Sequence, residues 1–347
     1  MIPLQAARLS SIAALLIAAS VPALCGDWNP RLAAQYLDAR QKEWAEWKQA
    51  AAPGGTCFSC HTNMTYLLAR PALRRALGET APTPYETGLL NGLRTRLATR
   101  DTTAGYPPFK KEPLATQALG VDTIFAALFL TQNEQALDRL WAVQLHDGKT
   151  KGAWPWFQVA LDPWEMPESP FYGASLAALA VASAPAEYRA RQDVREHVAE
   201  LSGYLRNEQA SQPMHNRLML LWASTAMPDL LPKATRKSLI KELAGLQQPD
   251  GGWTIASLGP FKEHPDAPVS AGSNGYATGF AAFVMVKAGV KGPALTKALQ
   301  WLRTHQDAAT GTWEATSMNK HFEPGGMQDQ FMRDAATSFA SLALLLE

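Results

Sequence analysis

A segment that ends in Gly-x-Trp recurs along the chain, and it limits the possible folds more than any other feature. The best copy is Gln247–Trp253 in LQQPDGGW, the second is Gln306–Trp313 in HQDAATGTW, and a looser copy is Gln144–Trp154 in QLHDGKTKGAW. Each copy follows a segment with helical periodicity, and alanine-rich apolar segments alternate with the copies. A helix, a turn and a second helix repeated in this way indicate a repeat architecture.

The spacing of the copies gives the size and number of the repeats. Trp253 and Trp313 are 60 residues apart, and Trp154 precedes Trp253 by 99 residues, which is two steps of roughly 50. Cys57 lies 97 residues before Trp154, so it is in phase with the repeat. The expected copies near residues 106 and 205 are degraded to AGYPPF and NEQASQPM. The pattern predicts about six helix–loop–helix units.

These units predict an all-α fold, specifically an α/α toroid of about six helix pairs formed by residues 27–347 as one domain. Alanine-rich inner helices can pack closely, while longer polar outer helices shield them from water. No convincing run of alternating polar and apolar residues indicates a β-sheet. An open helical array and two helical domains are the alternatives.

The N-terminus is typical of an export signal. Arg8 is followed by an apolar stretch over residues 9–23 and by small residues, which predicts a cleaved signal peptide over residues 1–26. A lipid anchor on Cys25 is less favoured, because Leu24 is bulky where a small residue is expected. An uncleaved anchor helix is the other alternative. We therefore expect a periplasmic or extracellular protein in an oxidising compartment, with no integral membrane domain after signal cleavage.

Cys57, Cys60 and His61 form a CxxCH motif, the attachment sequence of c-type haem. Two thiols bond the haem vinyl groups, and the adjacent imidazole binds the iron. The motif predicts covalent haem c at Cys57 and Cys60, with His61 as the metal ligand and a redox protein as partner. A structural disulfide, a thiol redox pair and half of a metal site are the alternatives, although a zinc site would need two further ligands.

The sixth iron ligand is left unassigned by the sequence. Met64 lies three residues after His61, on the same expected helix face, so it should not reach the opposite side of the iron. More distant candidates are Met166, Met214, His215, Met318, His321, Met327 and Met332.

The Gln…Gly…Trp segments resemble the QW motifs of squalene–hopene cyclases and related prenyltransferase-type toroids, over most of residues 120–347. In such a motif the Gln amide bonds backbone at the neighbouring helix, Trp packs on the turn and Gly permits the bend. We therefore expect Gln248, Gly251, Gly252 and Trp253 to be structural.

The whole chain more closely resembles exported bacterial proteins of this superfamily that carry CxxCHT near their start. The stretches PALRRAL, FYGASLAALAV and SMNKHFEPGGMQDQFMRDAATSFASLALL carry that likeness, which implies no particular activity.

The chain departs from the cyclases where their chemistry occurs. The acidic DxDD motif is absent, its place being taken by residues 273–278 (SNGYAT), and DDxxD is absent too. The loops before the predicted inner helices instead offer Asp122, Tyr172, His215, Arg217, Tyr276 and Asp334. Asp122 and Asp334 are expected to cap helix N-termini, or one of them to act as a buried acid. Together with Tyr276 they are the candidate catalytic residues.

The predicted function is that of an exported c-type haem protein on a squalene-cyclase-like scaffold. It would transfer electrons or oxidise a hydrophobic ligand, such as an isoprenoid, in a central cavity, and the sequence leaves open whether it is an enzyme. The alternative is a non-haem, terpene-cyclase-like or ligand-binding toroid with a Cys57–Cys60 disulfide. A polysaccharide-active barrel with Glu165 and Glu168 as paired carboxylates is less favoured. Nucleic-acid binding is not expected, because 32 basic residues face 31 acidic ones.

Overall fold

The computed structural model describes residues 28–52, 55–99, 111–261, 264–268 and 270–347. These residues confirm the predicted all-α class. Their helices are α1 (Pro30–Glu46), α2 (Asn63–Ala76), α3 (Pro84–Thr99), α4 (Leu114–Phe129), α5 (Glu134–Ala142), α6 (Ser169–Ala182), α7 (Ala186–Arg189), α8 (Gln192–Glu208), α9 (Met214–Ala226), α10 (Lys233–Gly245), α11 (Gly275–Lys287), α12 (Pro293–Thr304) and α13 (Phe331–Leu346). Two short antiparallel strands, β1 (Ala51–Ala52) and β2 (Gly55–Thr56), precede the CxxCH motif. The predicted signal peptide, Cys25 and the degraded repeat near residue 106 lie outside the described residues.

Partly exposed and buried helices alternate along the chain. One side of α1, α3, α5, α8, α10 and α12 faces solvent, whereas α2, α4, α6, α9, α11 and α13 lie in the core. Two core helices are buried on every side: α6 from Ser169 to Val181 and α11 from Gly275 to Met285. A helix that is apolar all round needs neighbours all round. Each outer helix therefore precedes an inner helix, with α7 as a short addition.

Successive inner helices are neighbours in space. Helix α4 contacts α6, α6 contacts α9, α9 contacts α11, and α11 contacts α13. The C-terminal α13 then packs against α2 near the N-terminus. Helix α3 contacts both α2 and α4, and the Phe58 ring before α2 lies 4.9 Å from the Phe125 ring of α4. The last of the described inner helices, α13, is thus in contact with the first, α2. No helix within the described ranges has both the length and the apolar character needed to cross a bilayer.

The tryptophan of each repeat fastens its turn to the preceding outer helix. Its indole N–H donates to a leucine carbonyl in every copy: Trp154 to Leu140, Trp253 to Leu243 and Trp313 to Leu302, at 2.7, 2.9 and 2.7 Å. All three tryptophans are fully buried. A buried indole N–H needs such a partner, so the same bond recurs with the sequence motif.

The glutamine of each repeat joins its own turn to the next outer helix. Its amide donates both to the glycine carbonyl of the turn and to a more distant carbonyl: Gln144 to Gly152 and His197, Gln247 to Gly251 and Ala294, and Gln306 to Gly311 and Asn29. Asn29 caps α1, so the last repeat is tied to the first helix. The prediction for Gln248 is wrong, because its amide bonds the nearby Leu246 carbonyl and Gln247 is the bridging residue.

Substitution of Gly311 tests this closure. Gly311 has φ +76°, and an added Cβ would lie 2.4 Å from Leu32 Cβ in α1. We expect Gly311→Ala to lower the free energy of unfolding by about 3 kcal/mol, from a left-handed backbone plus overpacking. Gly325→Ala is the matched control, because Gly325 has φ +72° but open space around it, and it should cost about 1 kcal/mol. Equal losses in urea unfolding would contradict tight packing of the last repeat on α1.

Candidate functional site at the CxxCH turn

The CxxCH turn joins outer helix α1 to inner helix α2, the position that the Gln–Trp turns occupy in later repeats. The Trp44 indole N–H donates to the Cys57 carbonyl at 3.0 Å. The Gln41 amide donates to the Thr62 carbonyl at 3.1 Å and accepts from Asn63 Nδ2 at 2.8 Å. Three side-chain bonds therefore fix both ends of the motif on α1.

Both motif cysteines are free thiols, and they face different surroundings. Cys57 is partly exposed and lies within the electrostatic influence of Arg96, whereas Cys60 is buried within that of Glu165. Burial raises the pKa of Cys57 to about 11 and raises the pKa of Cys60 well above its usual range. Both are protonated at neutral pH. Because reactive redox cysteines have lowered pKa values, the arrangement does not favour a thiol redox pair.

Aromatic rings enclose the His61 imidazole. Its ring stacks on Phe331 with centroids 3.8 Å apart, and it lies 5.8 Å from Trp44 and 5.7 Å from Trp164. Burial and, to a smaller extent, the positive charge of Arg40 lower the pKa of His61 to about 3. The imidazole is therefore neutral, which is the form that binds metals.

Thr62 fixes which nitrogen of His61 carries the proton. The Thr62 hydroxyl lies 2.8 Å from His61 Nδ1 and donates its own hydrogen to Asp334 Oδ2 at 2.7 Å. A hydroxyl has one hydrogen, and the carboxylate takes it, so the oxygen must accept from His61 Nδ1–H. This assigns the proton to Nδ1 and leaves a lone pair on Nε2.

Asp334 accepts from three side chains in the core. Its carboxylate receives the Tyr36 hydroxyl at 2.7 Å, Arg40 Nε at 2.8 Å, Arg40 Nη2 at 3.2 Å and the Thr62 hydroxyl. Asp334 is fully buried and Arg40 is 1% exposed. Burial raises the pKa of Asp334 above its usual value, and the positive charge of Arg40 together with the hydrogen bonds from Arg40, Thr62 and Tyr36 limits that rise.

The N-cap prediction is wrong for both aspartates. Asp334 lies inside the first turn of α13, whose N-cap is Gln330, and its side chain bonds distant residues instead of the helix end. Asp122 lies in the middle of α4, where its carboxylate is 3.4 Å from Arg96 Nε. Asp334 is connected to His61 through Thr62, whereas the negative charge of Asp122 contributes to the raised pKa of Cys57.

Tyr276 belongs to an aromatic cluster between the inner helices. Its hydroxyl lies 2.8 Å from His215 Nε2, and the Tyr172 ring stacks on His215 at 5.5 Å. Tyr276 also contacts Trp164, one of the rings beside His61, at 5.3 Å. Phe280 and Phe339 extend the cluster. Aromatic side chains therefore fill the space between the inner helices α6, α9, α11 and α13.

The sequence matches no protein-family model and no curated protein sequence. The interpretation of the site therefore depends on its own residues.

The three motif side chains do not form a metal cluster of the zinc type. Within the described ranges, no group of three or more His, Cys, Asp or Glu side chains is placed to hold a metal ion. Covalent haem needs no such convergence, because the thiols bind the edge of the porphyrin and only the imidazole binds the iron.

The residues around His61 were only partly identified by the sequence. Glu165, one of the two carboxylates suggested for a polysaccharide-active barrel, follows Trp164 directly and is half-buried, with its pKa raised by burial to about 7. Glu168 is exposed. Sequence reasoning missed Tyr36, Trp44, Thr62, Phe331 and Arg40. Arg40 had a signal, since it lies on the buried stripe of α1.

Proposed function

We propose that this chain binds one c-type haem covalently through Cys57 and Cys60, with His61 as an axial ligand, and acts as an exported redox protein. The observation that carries the proposal is the protonation of the three motif side chains and the hydrogen bond that orients the imidazole. Two free, protonated thiols directly precede an imidazole whose Nδ1–H is held by Thr62 and whose Nε2 bears a lone pair.

The CxxCH turn and the residues around it are suited to haem c in three ways. Each S–H can add across a vinyl double bond to form a thioether, which requires reduced cysteines and no oxidant. The aromatic rings of Trp44, Trp164 and Phe331 supply apolar surroundings. A cavity of about 360 Å³ lies beside the turn and is lined by Thr56 and Phe58, the neighbours of Cys57.

Haem c supplies reversible one-electron transfer at its iron. The chain supplies the environment of the axial ligand. Asp334 accepts from Thr62, which accepts from His61 Nδ1–H, and this polarisation makes Nε2 a stronger donor. Arg40 balances the buried carboxylate charge, and the three aromatic rings cover much of the imidazole.

We also propose that the helix pairs close into the α/α toroid predicted from the repeats. The contact of α13 with α2 and the bonds from Gln306 to Asn29 support closure. The central aromatic cluster favours a ligand at the rim over one in the middle of the ring. A redox partner protein remains a prediction.

The test is a pyridine haemochrome spectrum with an intact mass, on protein exported from a host with haem-c maturation. We expect covalent haem in the wild type and its loss in the Cys57→Ala/Cys60→Ala variant. Ser59→Ala is the control, because Ser59 lies inside the motif but contributes no thioether. A colourless, folded wild type whose mass is short by two hydrogens would contradict the proposal and favour the disulfide-containing toroid.

A further inference from the structure

Six exposed lysines lie on the outer helices α10 and α12 and around the turn between α11 and α12. They are Lys233, Lys237 and Lys241 in α10, Lys287 at the end of α11, Lys291 in the turn that follows, and Lys297 in α12. The Gln247 amide after α10 donates to the Ala294 carbonyl of α12, so the two helices are neighbours. Residues 267–306 contain no aspartate or glutamate. We call the six lysines the lysine face.

The three lysines of α10 form one row along the helix. Lys233, Lys237 and Lys241 are spaced four residues apart, so they lie on the same side. Leu239 and Leu243, the buried residues of α10, occupy the opposite side. Like charges at this spacing destabilise a helix, and no acidic residue lies between them. The row therefore favours an anionic partner that would relieve the repulsion.

Nearby carboxylates do not neutralise the lysine face. Glu242 accepts from both terminal nitrogens of Arg217, and Glu347 pairs with Arg303. Asp250, in the turn after α10, is the only other acidic residue of residues 233–261. The ion pairs among the described residues include none of the six lysines. The face therefore presents an excess of positive charge to the solvent.

An apolar groove of about 380 Å³ adjoins part of the lysine face. Its apolar lining includes Val286, Val290 and Leu295. Lys291 lines the groove as well, and Lys287 directly follows Val286 in the chain. Positive charge beside an apolar groove suits an amphiphile with an anionic head group.

We propose that the lysine face binds the surface of a membrane that contains anionic phospholipids. A lysine ammonium is a compact charge on a flexible stem, which suits mobile phosphate head groups. Protein–protein interfaces are instead enriched in arginine and depleted in lysine, so six lysines favour a lipid surface over an acidic protein. The site does not depend on the proposed haem, because neither α10 nor α12 contributes a ring or hydrogen bond to the surroundings of His61 described above.

Co-sedimentation of the mature protein with lipid vesicles tests the proposal. We expect binding to vesicles of phosphatidylglycerol mixed with phosphatidylcholine, no binding to phosphatidylcholine alone, and weaker binding as salt screens the charges. Lys233→Gln/Lys237→Gln/Lys241→Gln should weaken binding roughly 100-fold, at about fivefold for each lysine near an anionic bilayer. Lys287→Gln/Lys291→Gln, which leaves α10 unchanged, should weaken it roughly 20-fold. Both variants should keep the wild-type circular dichroism spectrum, because the replaced side chains are exposed.

The matched control removes the same number of charges away from the lysine face. Lys42→Gln/Lys111→Gln/Lys149→Gln replaces three exposed lysines on other parts of the ring of helices, and it should bind vesicles within a few-fold of the wild type. A wild type that does not bind anionic vesicles, or equal weakening in the two triple variants, would overturn the proposal. Binding to polyglutamate without binding to vesicles would also overturn it, and would assign the lysine face to an acidic protein.

Discussion

Asp334→Ala is expected to lower the free energy of unfolding by about 3–5 kcal/mol, because it removes the buried carboxylate that pairs with Arg40 and leaves the guanidinium only the exposed Glu43 as a carboxylate partner among the described residues. Arg40 is 1% exposed and directs Nε and Nη2 at the two carboxylate oxygens. The hydroxyls of Tyr36 and Thr62 lose their acceptor in the same variant. Chemical denaturation of the mature protein measures the loss.

The control is a second Arg–carboxylate pair at the surface. Arg333 donates Nε and Nη2 to Glu314, and the Glu314 side chain is 67% exposed. Glu314→Ala should cost less than about 1 kcal/mol, because water screens and replaces the pair. Replacing both buried partners, as in Arg40→Met/Asp334→Leu, should recover part of the lost stability, because the unpaired guanidinium is removed while the Tyr36 and Thr62 hydroxyls stay without this acceptor. Similar losses from Asp334→Ala and Glu314→Ala would contradict a buried, ionised Asp334.

The repeat geometry could be predicted because it is local. Each Gln, Gly and Trp of a copy lies within about a dozen residues, so the sequence keeps the pattern that the turn requires. Trp253 and its bond to Leu243 follow that pattern. Which of two adjacent glutamines bridges to the next helix was assigned wrongly, because Gln247 and Gln248 differ by one residue and only the packed neighbour, α12, distinguishes them.

The surroundings of His61 could not be predicted in the same way, because they join α1 to α13, which are far apart in the sequence. Tyr36 and Asp334 are 298 residues apart in sequence but are hydrogen-bonded. Both aspartates were expected to cap helices from their positions alone. The structure places Asp334 in the core because a charged residue of α1, Arg40, faces it there. A charged residue on an otherwise buried stripe is the signal that could have indicated a distant partner.

A second large effect is expected when the pH is lowered. The protein should lose stability because His215 is buried in the aromatic cluster between the inner helices. Burial lowers the pKa of His215 to about 4, below the ordinary value of 6.5. Between these values the unfolded chain binds a proton that the native protein excludes, so stability is fully present above pH 6.5 and is lost as the pH falls. From pH 7 to pH 5, His215 should contribute a loss of about 2 kcal/mol.

Glu165 changes the stability in the opposite direction to His215 as the pH falls, so the two contributions must be separated. Burial raises its pKa from 4.5 to about 7, so the native protein binds the extra proton and gains stability as the pH falls towards 4.5. The difference in unfolding free energy between wild type and His215→Gln removes this contribution, because both proteins contain Glu165. That difference should change by about 2 kcal/mol between pH 7 and pH 5. The control is His321→Gln at an exposed site, which should show the wild-type pH dependence. A difference independent of pH would mean that His215 has the same pKa in the native and the unfolded protein, so that it is protonated in the core at pH 5, where the Tyr276 hydroxyl would have to accept from it.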